Sequence, residues 1–363
     1  NELGTDDEIM RNIKLVRQDA MKLRSKGVNE SDIKEVHESI AIDQASGERN
    51  DGVGGDDGAL ITAVNVVHGS DIYLVEHVEE YQNSRDVTQK TRDMQTRDIK
   101  MFCDQFIYHN RATRDEVIKW VNVTLGQNKG LSRATLNRTI SACRGYWEYL
   151  TYFKGLKAIS PFDNVLPRKP KRMTKAQVQK LRVPFQVNDY HKILDATEDP
   201  QLIDLIKLVA HTGCRITELC SLKLEDISND RIQIEDAKTL AGWRTIPIHG
   251  EISQTIKRLV NTSEDEYLFC GLSSNKYGDR SGGLGKRFGR LKTKLGYGEK
   301  HVFHSFRYSF STQLENATIP VSSVARLQGH EVEGETFGRY SNGLIFQRLK
   351  EAIEYIDWTR PEM

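Results

Sequence analysis

The chain has 363 residues, with 52 Lys and Arg against 51 Asp and Glu and a formal net charge of +1. Hydrophobic residues make up 38% and the mean hydropathy is −0.56; no unbroken apolar run reaches the roughly 20 residues that span a bilayer, which excludes a helical membrane protein. That length suggests two or three domains with ample core, and the near-zero charge taken whole points away from nucleic acid, whose binders usually carry a basic surplus.

The five cysteines, Cys103, Cys143, Cys214, Cys220 and Cys270, are odd in number, scattered and without a CxxC pair. They read as reduced thiols of a cytoplasmic protein, with neither a disulfide framework nor a zinc cluster. No signal peptide is visible, and the start at Asn-Glu-Leu-Gly without an initiator Met is that expected of a processed or trimmed product.

Counted by segment, the neutrality breaks apart. Residues 1–84 hold 8 basic and 18 acidic side chains, a net of −10. Residues 85–182 hold 21 and 8, a net of +13, and residues 183–363 hold 23 and 25, a net of −2. Such asymmetry points to a polyanion-binding middle segment. The acidic leader reads as two helices, around Asp6–Lys26 and Asn29–Gln44, followed by a run over Gly47–Gly58 too polar and Gly-rich to pack. Residues 1–70 are therefore expected to be an acidic helical extension with a flexible linker.

A compact helical domain follows, 71–166. Leu74, Val75 and Val78 share one face of an amphipathic run, and Ile99, Phe102, Cys103 and Phe106 point inward from a second helix that carries Lys90, Arg92, Arg97 and Lys100 elsewhere. Thr113 with Glu116 predicts a capping box, and Ser132 caps a helix whose Leu136, Ile140, Cys143, Trp147 and Leu150 follow a 4-3-4-3 spacing. A single basic helix face is ordinarily a solvated surface; the net of +13 favours contact with DNA phosphates. The clearest boundary runs from Pro161 to Pro184. Its segment 167–184 holds seven Lys and Arg and no acid, and is read as an extended cationic strap, with a nuclear-localisation segment as the competing reading.

Beyond it the pattern is mixed. Leu202 to Val209 predicts a buried helix ending near Gly213, and Arg231–Asp236 with Arg244–Ile248 predicts a β-hairpin. Residues 271–300, with 8 Lys and Arg against 2 acids, form a second candidate phosphate-facing surface. Taken singly, the polar residues here have bland readings: Arg215 as a surface residue after Gly213, Lys238 as a solvated hairpin Lys, His304 and Arg307 as polar groups on one helix face. His330 reads as a neighbour of a helix C-cap at Gly329, and Tyr340 as a core or interface tyrosine.

Their order changes the weighing. The series Thr-Gly-Cys-Arg215, a hairpin Lys238, His304-Ser-Phe-Arg307, Leu-Gln-Gly-His330 and Arg-Tyr340-Ser-Asn resembles the catalytic domain of the tyrosine recombinases, the phage-integrase family. The resemblance covers about residues 71–357. It implies a multidomain, mainly α fold: a helical, SAM-like core-binding domain, then an α+β catalytic domain (185–341) with a small antiparallel sheet, then a C-terminal helical tail (342–363).

It also implies the chemistry. A tyrosine phenol, ordinarily near pKa ~10, attacks a DNA phosphodiester, and without metal or ATP the phosphoryl charge must be met by fixed donors. Arg215 and Arg307 would supply paired N–H groups. Lys238 would protonate the leaving 5′-oxygen, with Lys223, in a helix tail, its nearest competitor. His304 would orient or deprotonate the tyrosine or bond the phosphate, His330 would donate to a non-bridging oxygen, and Tyr340 would form the 3′-phosphotyrosyl link. Glu218 reads as support for Arg215, and Tyr308 as a packing residue. Neither a GxxxxGK[ST] motif nor a dense carboxylate cluster is present, so no cofactor or metal is expected.

The spacing of ten residues from His330 to Tyr340 is one longer than the family's usual one. In the tail, Leu344, Ile345, Leu349, Ile353 and Ile356 fall at helical spacing, and in this family such a tail docks on a neighbouring protomer of a tetramer on DNA. The expected partners are therefore a double-stranded recombination site, a homo-tetramer with exchanged tails and accessory DNA-bending or directionality proteins, in a prokaryotic cytoplasm at the nucleoid. A type IB topoisomerase-like enzyme and a catalytically silent DNA-binding protein on the same scaffold are the alternatives.

Overall fold

A computed structural model describes residues 6–51, 57–69, 71–167, 182–235, 243–330 and 346–360. The Cα packing divides the chain into two units, Asn1–Lys169 and Pro170–Met363. Among the described residues no helix is long and apolar enough to cross a membrane.

The first unit opens with helices α1 (Asp6–Ser25), α2 (Glu30–Asp51) and α3 (Asp57–Val67). Ile9, Ile13 and Val16 of α1 recur at helical spacing and close on Ala59, Ala63 and Val64 of α3. Two expectations fail here. The backbone of α2 runs helically through Gly47–Asp51, because that stretch holds a single Gly among helix-tolerant residues, and α3 begins at Asp57, inside the run expected to be unstructured. The apolar string after it, Ala-Leu-Ile-Thr-Ala-Val, is what makes α3 a packed helix.

Helices α4 (Val78–Asn83), α5 (Gln89–Phe106), α6 (Arg114–Lys119) and α7 (Arg133–Phe153) build the rest of this unit, with a π-helical stretch, Trp120–Asn128, continuing α6. Phe102 is its centre, with Phe106, Trp120, Trp147 and Phe162 around it at ring-centroid distances of 5.1–6.3 Å. Leu136, Ile140, Cys143, Trp147 and Leu150 are all buried, as the spacing predicts. Ser132 accepts a hydrogen bond from the Thr135 amide, and Thr113 accepts one from the Glu116 amide.

Part of the positive charge is used inside the unit. Arg138 forks onto the fully buried Asp98 at 2.8 and 3.1 Å, Arg92 donates to the Gln82 and Arg85 carbonyls, and Arg144 to that of Phe162. Lys90, Arg97 and Lys100 of α5 stay exposed.

In the second unit, helices α8 (Val187–Asp195), α9 (Pro200–Thr212), α10 (Ile216–Cys220), α11 (Gly250–Thr262), α12 (Gly282–Lys294), α13 (Phe303–Asn316), α14 (Val321–Gln328) and α15 (Phe346–Ile353) enclose one apolar core. Strands β1 (Arg231–Ile234) and β2 (Arg244–Pro247) pair antiparallel, Ile232 opposite Ile246, with both isoleucines buried. The segment between them, including Lys238, lies outside the described residues.

The tail differs from expectation. Leu349, Ile353, Ile356 and Trp358 are buried in this chain's own core; the Trp358 indole donates to the Ala210 carbonyl at 3.2 Å, and His191 donates to the Trp358 carbonyl at 2.6 Å. Of the apolar stripe read as a docking face for another protomer, Leu349, Ile353 and Ile356 are covered in cis in the single chain, because the amphipathic helix finds an apolar surface on its own unit; Leu344 and Ile345 lie outside the described residues.

Gly213 ends α9 with φ +63°, the left-handed region that favours glycine. A Cβ there would lie 2.7 Å from Cδ1 of the buried Phe310 ring. Gly213→Ala should therefore cost about 2–4 kcal/mol, backbone strain and ring displacement together. Urea unfolding of the full chain followed by tryptophan fluorescence checks this; an unchanged midpoint contradicts it.

Candidate active site

The C-terminal end of α9 presents the first candidate. After the turn at Gly213 and the buried Cys214, Arg215 precedes α10, and its side chain is 39% exposed. Glu218, one turn later, accepts from the Arg215 amide at 2.7 Å and from its Nη1 at 2.7 Å. The spacing of three residues creates this contact, since i and i+3 share a helix face.

Helix α13 supplies His304 and Arg307, again three residues apart. Its inward face is Phe303, Phe306, Phe310 and Leu314, and Arg307 lies among them, 3% exposed. The guanidinium is held by main-chain oxygens: Nη1 donates to the Gly213 carbonyl at 2.6 Å and Nη2 to the Gln328 carbonyl. Gln328 returns the contact, its side-chain amide donating to the Arg307 carbonyl at 2.8 Å. Arg307 thereby joins the end of α9 to the end of α14.

His330 follows Gly329, the left-handed C-cap of α14, and its Nε2 lies 2.9 Å from Arg307 Nη2. A guanidinium only donates, so Nε2 is the acceptor and Nδ1 carries the proton of a neutral ring. Burial, then the positive charge of Arg307, pushes both His304 and His330 below the ordinary histidine range. Arg182, near the end of the basic segment, adds to the charge felt by His304. Burial and then the neighbouring Arg215 pull Arg307 itself down to about 10, which still leaves it charged at neutral pH.

Sequence reasoning missed Arg244. Its guanidinium, 5% exposed, donates to both Glu218 oxygens at 3.2 and 2.8 Å and through Nε to the Leu327 carbonyl at 2.8 Å. The signal was present: Arg244 is two residues before the buried Ile246, so strand alternation turns it inward. Burial pushes the Glu218 carboxyl up, and the Arg244 and Arg215 hydrogen bonds and charge outweigh that, leaving it below the usual carboxylate range.

Two further readings change. Lys223 lies beyond the end of α10 in extended backbone, its ammonium 3.0 Å from Glu266 and 3.5 Å from Glu225. Tyr308 is 45% exposed rather than packed, because the inward face of α13 is already filled; its ring stands edge-on to His304 at 5.5 Å. Arg215, His304, Arg307 and His330 thus converge, while Lys238 and Tyr340 lie outside the described residues.

Chemically, this is a preformed cation cluster with neutral imidazoles at its edge. Three guanidiniums, Arg215, Arg244 and Arg307, face the single carboxylate of Glu218 among the described residues. Such a surplus, in part desolvated, suits a phosphate-like anion.

Comparison with known proteins decides the family. The model of the phage integrase family matches residues 171–344. The tyrosine recombinase XerC of Neisseria meningitidis is 24% identical over 272 residues, covering 72% of this chain and 86% of its own. Over residues 171–344 the chain carries a domain of the phage integrase family, the tyrosine recombinases. It is therefore a tyrosine recombinase enzyme with the family's core-binding and catalytic fold. The fold is similar to that of the Tn1549 transposon integrase in complex with transposon right end DNA, at TM-score 0.57 and 20% identity, covering 78% of this chain and 99% of the integrase. It is similar also to lambda integrase, solved as a tetramer bound to a Holliday junction, at TM-score 0.55 and 19% identity, covering 74% and 79%.

The histidine environment yields a test. Ring resonances of His304 and His330 should titrate below 6.5, the ordinary histidine value, and Arg307→Gln should move both midpoints upward by removing a positive neighbour. NMR titration of the full chain reads this; midpoints unmoved by the substitution contradict the arrangement.

Proposed function

We propose that this enzyme is a site-specific DNA recombinase of a phage or other mobile element, cutting and rejoining DNA through a 3′-phosphotyrosyl intermediate. The observation that carries the reading is Arg307, a buried charged guanidinium clamped by the Gly213 and Gln328 carbonyls, with Arg215 and His330 beside it. A buried cation held by main-chain oxygens and a neutral imidazole, with no carboxylate of its own, is costly unless an anion arrives to use it.

In this reading Arg215 and Arg307 take the non-bridging oxygens of the scissile phosphate, whose charge redistributes as the fifth ligand approaches. Tyr340 attacks phosphorus, forming the phosphotyrosyl bond as the bond to the 5′-oxygen breaks. Lys238 gives its proton to that oxygen. His304, neutral and beside the cluster, takes or orients the phenol proton, and His330, protonated on Nδ1 in the DNA-free chain, donates to a non-bridging oxygen once DNA enters. One phosphoester replaces another, so the 5′-hydroxyl of a partner strand reverses the step without ATP.

In this reading the domain roles are DNA binding for 71–166 and the cleavage chemistry for 185–341, with the seven Lys and Arg of 167–184 adding positive charge suited to phosphates. The DNA-bound relatives support a duplex substrate, and the lambda tetramer on its junction supports a tetramer here. Because the tail is covered in cis in the single chain, exchange between protomers in this reading requires 346–360 to leave its own core. Accessory DNA-bending or directionality proteins would then set the direction of strand exchange.

The test uses duplexes selected by the full chain from a random pool and rebuilt with a nick beside each candidate site, so that cleavage traps the covalent adduct. Wild-type protein should form it; Tyr340→Phe should form none while binding the duplex within about twofold, and Arg307→Gln should slow it by about 10²- to 10³-fold. Normal cleavage by Tyr340→Phe overturns the assignment, and relaxation of supercoiled DNA without site preference would favour a topoisomerase.

A further inference from the structure

Glu218 is over-subscribed. Its carboxylate receives four hydrogen bonds: the Arg215 amide and Arg244 Nη2 on Oε2, and Arg215 Nη1 and Arg244 Nη1 on Oε1. Arg244 thus holds both oxygens in a fork, whereas the Arg215 guanidinium contributes one N–H. Among the described residues, that is the Arg215 guanidinium's one hydrogen bond. Two arginines competing for one carboxylate divide it unequally, and the buried one, 5% exposed against 39%, has the bidentate share.

We propose that Arg244 is a positioning residue of the recombinase site, which occupies Glu218 so that Arg215 stays available for phosphate and which fixes the end of α14 behind His330. The proposal rests on the DNA-cleavage reading above. Without Arg244, the Glu218 carboxylate has its second lone pairs free and a guanidinium 2.7 Å away. It would then close a fork on Arg215, turning toward protein the N–H groups that the phosphate needs.

The second half of the role runs through Nε. Its acceptor, the Leu327 carbonyl, directly precedes Gln328, whose own carbonyl holds Arg307, and stands three residues before His330. Arg244 also opens β2, the strand that follows the segment carrying Lys238. One side chain therefore ties the strand leading out of the hairpin to Glu218, and through it to Arg215, and to the helix end that carries His330. Lysine retains the charge but has no planar fork and reaches one acceptor direction at a time, so it does not replace this arginine.

The experiment compares Arg244→Met, Arg244→Lys and the double variant Arg244→Met/Glu218→Gln in the full chain. On the nicked selected duplex with enzyme in excess, Arg244→Met and Arg244→Lys should slow adduct formation by about tenfold to a hundredfold, with duplex affinity within about threefold of wild type. Glu218→Gln, added to Arg244→Met, should recover a substantial part of the rate, because the amide no longer captures Arg215. A residue that served packing alone would gain nothing from losing its partner's charge. An Arg244→Met rate equal to wild type, or a double variant no faster than Arg244→Met, overturns the proposal.

Arginine side-chain NMR of DNA-free protein decides the matter without catalysis. The Arg215 Nη signals should be averaged in wild type and resolved in Arg244→Met, where the fork with Glu218 hinders rotation. Unchanged Arg215 signals overturn the role of Arg244. A wild type that forms no adduct on any selected duplex overturns the cleavage reading instead, so the two failures are distinct.

Discussion

The site depends on one interaction: a charged guanidinium buried in the catalytic unit and held by two carbonyl oxygens. Arg307 is 3% exposed, its Nη groups reach Gly213 and Gln328, and its Nε has no hydrogen-bond partner among the described residues. Burying an arginine without a carboxylate of its own is unfavourable. The fold tolerates it because both carbonyls come from helix ends, α9 and α14, where the negative pole of the helix dipole points at the cation. The glycines that close those helices, Gly213 and Gly329, both adopt the left-handed conformation that turns the chain toward Arg307.

From this follows the rest of the electrostatics. Burial first, then the charges of Arg307, Arg215 and Arg244, depress the protonation of His330, and burial with Arg307, Arg182 and Arg215 depresses that of His304, so the histidines are neutral proton handlers rather than extra cations. Glu218, the one carboxylate at the cluster among the described residues, is shared between Arg215 and Arg244 and does not neutralise it. An incoming phosphodiester completes a charge set that the protein leaves uneven, which is how preorganised donors stabilise charge that develops during reaction without reorganising.

Most of the fold was legible in sequence where apolar periodicity is strong. The apolar positions from Leu136 to Leu150, then Leu202, Leu205, Ile206, Leu208 and Val209, and the isoleucines of the hairpin pack inward as their spacing requires, while Ile203 stays half-buried outside the core. The polar helix end at Gly47–Asp51 and the helix from Asp57 escaped because glycine count was weighed above the apolar string after it. The tail's stripe was visible, but not what it covers, since period alone does not distinguish an own core from a neighbour's. Segment charge had the same limit: +13 over 85–182 includes Arg92, Arg138 and Arg144, which bond within their own unit. For the site, the spacing of Arg215 and Glu218 and of His304 and Arg307 placed each pair on one turn. Arg244 stayed hidden because its importance lies in partners 26 and 83 residues away in the chain.

The central claim is that Arg307 is fixed before DNA arrives. Its most direct measurement is arginine side-chain NMR of the DNA-free full chain, with the Arg307 signals assigned by their loss in Arg307→Lys. Clamping by the two carbonyls predicts hindered rotation and separate resonances for Nη1 and Nη2 in the absence of DNA. A single averaged Nη resonance, splitting only when a duplex is added, would contradict it.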